Sequence, residues 1–130
     1  MWSTLKAPNP DEQADYDAIQ VEVDTLDNLA CSFDLQNDIL IKIDTEGFDL
    51  EVIRGGQETL RRSAAVVIEA SLYPTTYGKD SPVFEDILTA LSELGFCYRG
   101  TIRSGYDRGA LVVMDALFVQ RSVAKRLTAA

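Results

Sequence analysis

The sequence predicts an α/β domain built on a mostly parallel sheet with one antiparallel strand. Three observations lead there. Residues 39–43 and 64–68 are nearly continuous apolar runs, the pattern of strands covered on both faces. Helically spaced apolar residues lie between these runs and again after the second. Two further strand-like segments then close the chain, joined by a loop short enough to predict an antiparallel pair.

In chain order, residues 1–17 carry two prolines and many polar side chains, and are read as an irregular lead-in. Residues 19–23 alternate apolar and polar, as a half-buried strand does. Asp24 and Thr25 are suited to cap a short helix over 26–31. The strand 39–43 is broken by Asp44-Thr45-Glu46-Gly47, and a helix follows. Gly55-Gly56 interrupts or ends that helix, with a further turn or two over 57–62. The second apolar strand ends at Glu69, and residues 70–80 form a loop. Ser81 is read as an N-cap and Pro82 as the first helical residue. Phe84, Ile87, Leu88, Leu91 and Leu94 mark one helical face, and Gly95 sits where a C′ glycine belongs. Residues 96–102 and 111–119 read as strands around a polar loop, 103–109, with Asp115 an odd acid inside the second. Residues 122–130 are a tail with helical leanings. The whole is one domain's worth of chain, 130 residues.

Composition excludes several classes of function. The net charge is −9, from 21 acidic and 12 basic residues, which opposes binding to nucleic acid or to an anionic membrane. Arg121, Lys125 and Arg126 are the only basic cluster and are expected to face solvent. No apolar run is long enough to span a bilayer, and the first residues lack the pattern of a signal peptide, so the expected location is the cytoplasm. Cys31 and Cys97 form no metal-binding pair and are read as structural thiols. There is no histidine, which removes Ser-His-Asp and Cys-His catalysis. Any general base must be a carboxylate, a lysine, a tyrosine or a water held by one.

Asp44-Thr45-Glu46-Gly47 has two readings that stand open. An acid after a strand can cap the next helix, and Gly47 can supply a turn with positive φ. The same acids can work on a ligand at the carboxyl ends of the strands, where open α/β sheets bind. Two carboxylates also suit Mg²⁺, and a metal-dependent hydrolase built on Asp44, Glu46 and Glu69 is a further class, but the pair has no third ligand beside it and the chain has no histidine ligands, so no metal is expected. Glu69 either pairs with a basic residue or joins Asp44 on the same rim. Tyr73 and Tyr77 flank that rim and either pack or contact a ligand. Gly55-Gly56 lacks the spacing of a nucleotide-binding loop and is read as a helix break.

The segments "VEVDTLDNLA", "ILIKIDTEGFDLEVIRGG", "VVIEASLYPTTYG", "LGFCYRG" and "DALFVQR", in this order, resemble the FkbM family of methyltransferases. The resemblance runs from about residue 3 to residue 121. It implies a class I, Rossmann-like fold with helices on both faces of the sheet, and S-adenosylmethionine-dependent O-methyl transfer to a small molecule bearing a hydroxyl. Asp44 would be the first choice for general base, with Glu46 beside it and Glu69 facing the acceptor. Asp44 and Gly47 would meet the cofactor, and Tyr73 and Tyr77 the acceptor. In that family a glycine-rich turn and a ribose-binding acid come earlier, and no such turn precedes Asp44 in these 130 residues. The chain is therefore expected to be the carboxyl half of the domain, inactive alone. Its 39–43 strand would then have an exposed edge, paired with a second copy in a homodimer or covered by residues 19–23 and the amino-terminal lead-in. A non-catalytic, self-associating module is the alternative.

Overall fold

A computed structural model describes residues 19–36, 38–74 and 81–128. The elements are α1 (Leu26–Ala30), β1 (Leu40–Ile43), α2 (Asp49–Arg54), α3 (Gln57–Arg62), β2 (Ala65–Ser71), α4 (Phe84–Glu93), β3 (Phe96–Asp107), β4 (Ala110–Gln120) and α5 (Arg121–Thr128). The strands form one mixed sheet in the order β1-β2-β4-β3. β1 and β2 are parallel, and β4 runs antiparallel to both β2 and β3. Three strands thus share a direction and one opposes them, as the sequence predicts.

The crossover from β1 to β2 passes through α2 and α3, which meet at Gly55-Gly56. That junction is also a docking point. A Cβ on Gly56 would lie 2.7 Å from Leu26 Cδ2 and 2.9 Å from its Cβ, so only glycine lets α1 pack there. Thr25 caps α1 through the amide of Asn28, as predicted. Asp27 in turn accepts from the Glu58 and Thr59 amides at 3.1 and 2.8 Å and from the Thr59 hydroxyl. An acid on α1 therefore satisfies orphan donors at the start of α3.

The core lies on one face of the sheet. Strand partners Ile43, Ile68 and Ala116 line up across it, with Val66 and Phe118 paired beside them. Ile53, Leu60, Ile87 and Leu91 from the helices belong to the same buried cluster. Each such side chain contributes roughly 1.5–3 kcal/mol through its removal from water. Phe84 and Tyr98 meet edge to face at 5.3 Å, and Phe118 joins them. The α4 stripe is as predicted, with Ile87, Leu91 and Leu94 buried and Phe84 and Leu88 packed against the core.

Several expectations need correction. Residues 19–23 form no strand, and Ile19 is 81% exposed, so this segment does not cover the β1 edge, while the lead-in expected to help it lies outside the described residues. Alternation of side chains makes a strand only where a neighbour accepts its hydrogen bonds. β1 is not buried on both faces: Leu40 is 63% exposed. The helix predicted from Ser81 begins at Phe84, with Val83 as N-cap and the Asp86 carboxylate accepting from its amide. Residues 103–107 are not loop but a continuation of β3, and the hairpin turns on Arg108 and Gly109, both at positive φ. This two-residue turn matches the twist of its strands. The tail is α5, whose Ala124 is buried while Arg121, Lys125 and Arg126 are exposed. Cys31 and Cys97 are free thiols, the first exposed. No helix among the described residues is long and apolar enough to cross a membrane.

Candidate functional site

Three carboxylates converge at the carboxyl end of β1. Asp44, Glu46 and Glu69 each bring an oxygen within 4.8 Å of the others. Their convergence follows from register. Ile43 pairs with Ile68, so Asp44 stands level with Glu69. Glu69 is inside β2 rather than past its end, because β2 continues to Ser71 against β4. Glu69, Asp115 and Arg103 are successive partners across β2, β4 and β3, and share one face of the sheet.

Glu46 reaches the cluster from an unusual backbone. It has φ +51° and Gly47 has φ +92°, while the Phe48 amide donates to the Thr45 carbonyl. Positive φ at a glutamate costs roughly 1 kcal/mol and persists only when the surroundings enforce it. Asp49 supplies the enforcement. It is 5% exposed, and its carboxylate accepts from the Thr45 amide, the Thr45 hydroxyl at 2.9 Å and the Gly47 amide. The turn is therefore both hinge and holder: Gly47 bends it, as predicted, and Asp49 pins it. Sequence reasoning missed Asp49. Its signal was an acid opening a helix two residues after the turn glycine, which also reads as an ordinary helix start.

The electrostatics are those of crowded acids. Burial, then repulsion from Glu69, Asp44 and Asp49, raises the Glu46 pKa above the ordinary glutamate value. Burial and repulsion from Asp44 also raise that of Glu69, although Arg103 donates to it at 2.9 Å. The Arg103 side chain is largely exposed, so water weakens its hold, and it is shared with Asp115, to which Nε donates at 2.9 Å. This pairing accounts for the odd acid in β4. Lys42 is paired with Asp44, and that hydrogen bond raises the lysine pKa.

Beside the cluster is a small, shallow cleft lined by Glu46, Gly47, Asp49, Glu69, Ser71, Ser81 and Pro82. Ser81, expected as an N-cap, is instead 7% exposed, and its hydroxyl has no hydrogen-bond partner among the described residues. Tyr73 is exposed and does not line the cleft. Tyr77 lies outside the described residues.

Residues 3–98 match the methyltransferase FkbM domain family. The chain belongs to this family. No curated protein and no solved structure matches it. The match spans Asp44, Glu46, Gly47, Asp49, Glu69 and Ser81, so the FkbM domain holds every residue of the acid-lined rim.

Proposed function

We propose that these residues form the acceptor side of an S-adenosylmethionine-dependent O-methyltransferase. The observation that carries this reading is the convergence of Asp44, Glu46 and Glu69 at the end of β1, within the part of the chain that matches the FkbM domain. A crowded anionic rim is complementary to the sulfonium and ammonium of the cofactor, and Asp44 with the Gly47 backbone are the groups to hold that end. When bound, the cofactor supplies a methyl group already activated by its sulfonium. The chain's work is then to orient a hydroxyl in line with that methyl and to take its proton.

Asp44 is exposed and held by Lys42, which suits it to positioning. Glu46 is the better base. It is half-buried, lines the cleft and has a pKa raised toward neutrality, which strengthens a carboxylate as a proton acceptor. Glu69, fixed by Arg103, faces the acceptor across the cleft. The acceptor is read as a small molecule bearing a hydroxyl.

β1 is a sheet edge with Leu40 exposed, so the cofactor's remaining contacts are assigned to elements that add to this edge. Calorimetric titration of these 130 residues with S-adenosylmethionine is expected to show very weak binding or none. Micromolar binding would overturn the half-site part of the reading. In any form of the protein that transfers a methyl group, Glu46→Gln is expected to retain cofactor binding and lose transfer to alcohols, whereas Asp44→Asn is expected to weaken cofactor binding. Undiminished transfer by both Asp44→Asn and Glu46→Gln would overturn the roles given to the rim. The same open edge supports a second reading, a self-associating module in which another copy of β1 takes the free side.

A further inference from the structure

The three rim carboxylates also meet the requirements of a cation site, because the tertiary structure brings Glu69 up to the Asp44 and Glu46 pair. Around an ion bound at about 2.4 Å, oxygen ligands lie at most about 4.8 Å apart. The oxygens of Asp44, Glu46 and Glu69 fall within that limit. They come from three separate places: the end of β1, the pinned turn and the middle of β2. Two of the three are therefore fixed by backbone that an ion does not have to organise. Glu69 is set by strand pairing, and Glu46 by the Asp49-locked turn.

One further observation points to a ligand here. The Ser81 hydroxyl is buried in the cleft lined by Glu46 and Glu69, without a hydrogen-bond partner among the described residues. A buried hydroxyl left unpaired carries a desolvation penalty, which a water or hydroxyl on a bound ion would remove. Lys42 is half-exposed and free to swing away from Asp44 when a stronger cation arrives.

The geometry points to a divalent cation bound by Asp44, Glu46 and Glu69, with Ser81 positioned to hydrogen-bond a water or acceptor hydroxyl in its shell. All three ligands are carboxylate oxygens, which select a hard ion such as Mg²⁺, Mn²⁺ or Ca²⁺ over zinc. Cation binding by this cluster does not depend on the methyl-transfer reading, and its test needs neither cofactor nor acceptor.

The test is titration of the chain with Mn²⁺ alone, following the electron paramagnetic resonance signal of the free ion. One saturable site per chain is expected, displaced by excess Mg²⁺. Asp44→Asn and Glu69→Gln should each weaken it by about tenfold or more. Glu58→Gln, on the exposed side of α3, should leave it unchanged. Both rim variants remove like charge from a crowded cluster, so folding is expected to survive. Circular dichroism checks this, and if Glu69→Gln loses structure with its Arg103 contact, Asp44→Asn decides. Failure to saturate below about 10 mM Mn²⁺, or affinity unchanged in the folded rim variants, would overturn the site.

Discussion

Glu46 concentrates three costs in one residue: positive φ, partial burial and the company of other acids. Such strain is retained only where neighbouring structure imposes it, and Asp49 does so through three hydrogen bonds. The charge part has a definite pH signature. Below the ordinary glutamate value of 4.5, the folded and unfolded forms of Glu46 and Glu69 are both protonated and carry no penalty. As pH rises past that value, the unfolded chain loses these protons first while the folded state retains them. Stability from the two groups therefore falls with rising pH until their raised folded values are passed. Glu46→Gln is accordingly expected to be more stable than the parent chain at about pH 7.5, with the difference shrinking toward pH 4.5. Urea denaturation at both ends of that range measures it, and a difference independent of pH would contradict the charge account.

At the scale of elements, α1, α2 and α3 form a small cluster whose contacts are polar as well as apolar. Gly56 allows Leu26 to approach, the Asp27 amide donates to the Gly55 carbonyl, and the Asp27 carboxylate caps α3. Burial opposes ionisation of Asp27, but its hydrogen bonds with Thr59 and Glu58 outweigh this and lower its pKa. The resulting stability is present above the ordinary aspartate value of 3.8 and is lost as pH falls through the lowered folded value. Asp27→Ala is expected to cost about 1 kcal/mol, as loss of an N-cap does. Hydrogen exchange should show the loss first at the Glu58 and Thr59 amides. Unaltered protection there would mean that α3 does not need this cap.

For the whole molecule, the two sides of the sheet are unequal. One face carries the core, while β1 leaves Leu40 exposed at an edge with no further strand among the described residues. Ile19, Val21 and Val23 are exposed nearby in sequence and give β1 no cover. Exposed apolar edges promote pairing between chains. Sedimentation velocity is expected to show concentration-dependent association. Leu40→Lys should shift the distribution toward monomer without loss of folding, because Leu40 contributes little to the core. A chain that stays monomeric at all concentrations would remove the self-association reading.

The sequence by itself determined the α/β class, the antiparallel last strand, the α1 cap, the Gly47 bend and the α4 stripe. Each depends on residues close together in the chain: apolar runs, alternating or helical spacing, or a single glycine. It also singled out Asp44, Glu46 and Glu69, because acids next to apolar strands stand out locally. It misjudged residues 19–23, the ends of β2 and β3, and the place of Ser81. Strand limits depend on partners distant in sequence, and Ser81 lines the cleft beside Glu46 and Glu69, a placement that depends on tertiary packing. Only the tertiary structure decided that the three carboxylates meet, that Asp49 pins the turn and that Arg103 ties Glu69 to Asp115. The meeting of Glu69 with the other rim acids and its tie through Arg103 follow from strand register, which brings residues dozens of positions apart to the same level on one face, whereas Asp49 acts on residues two and four positions before it.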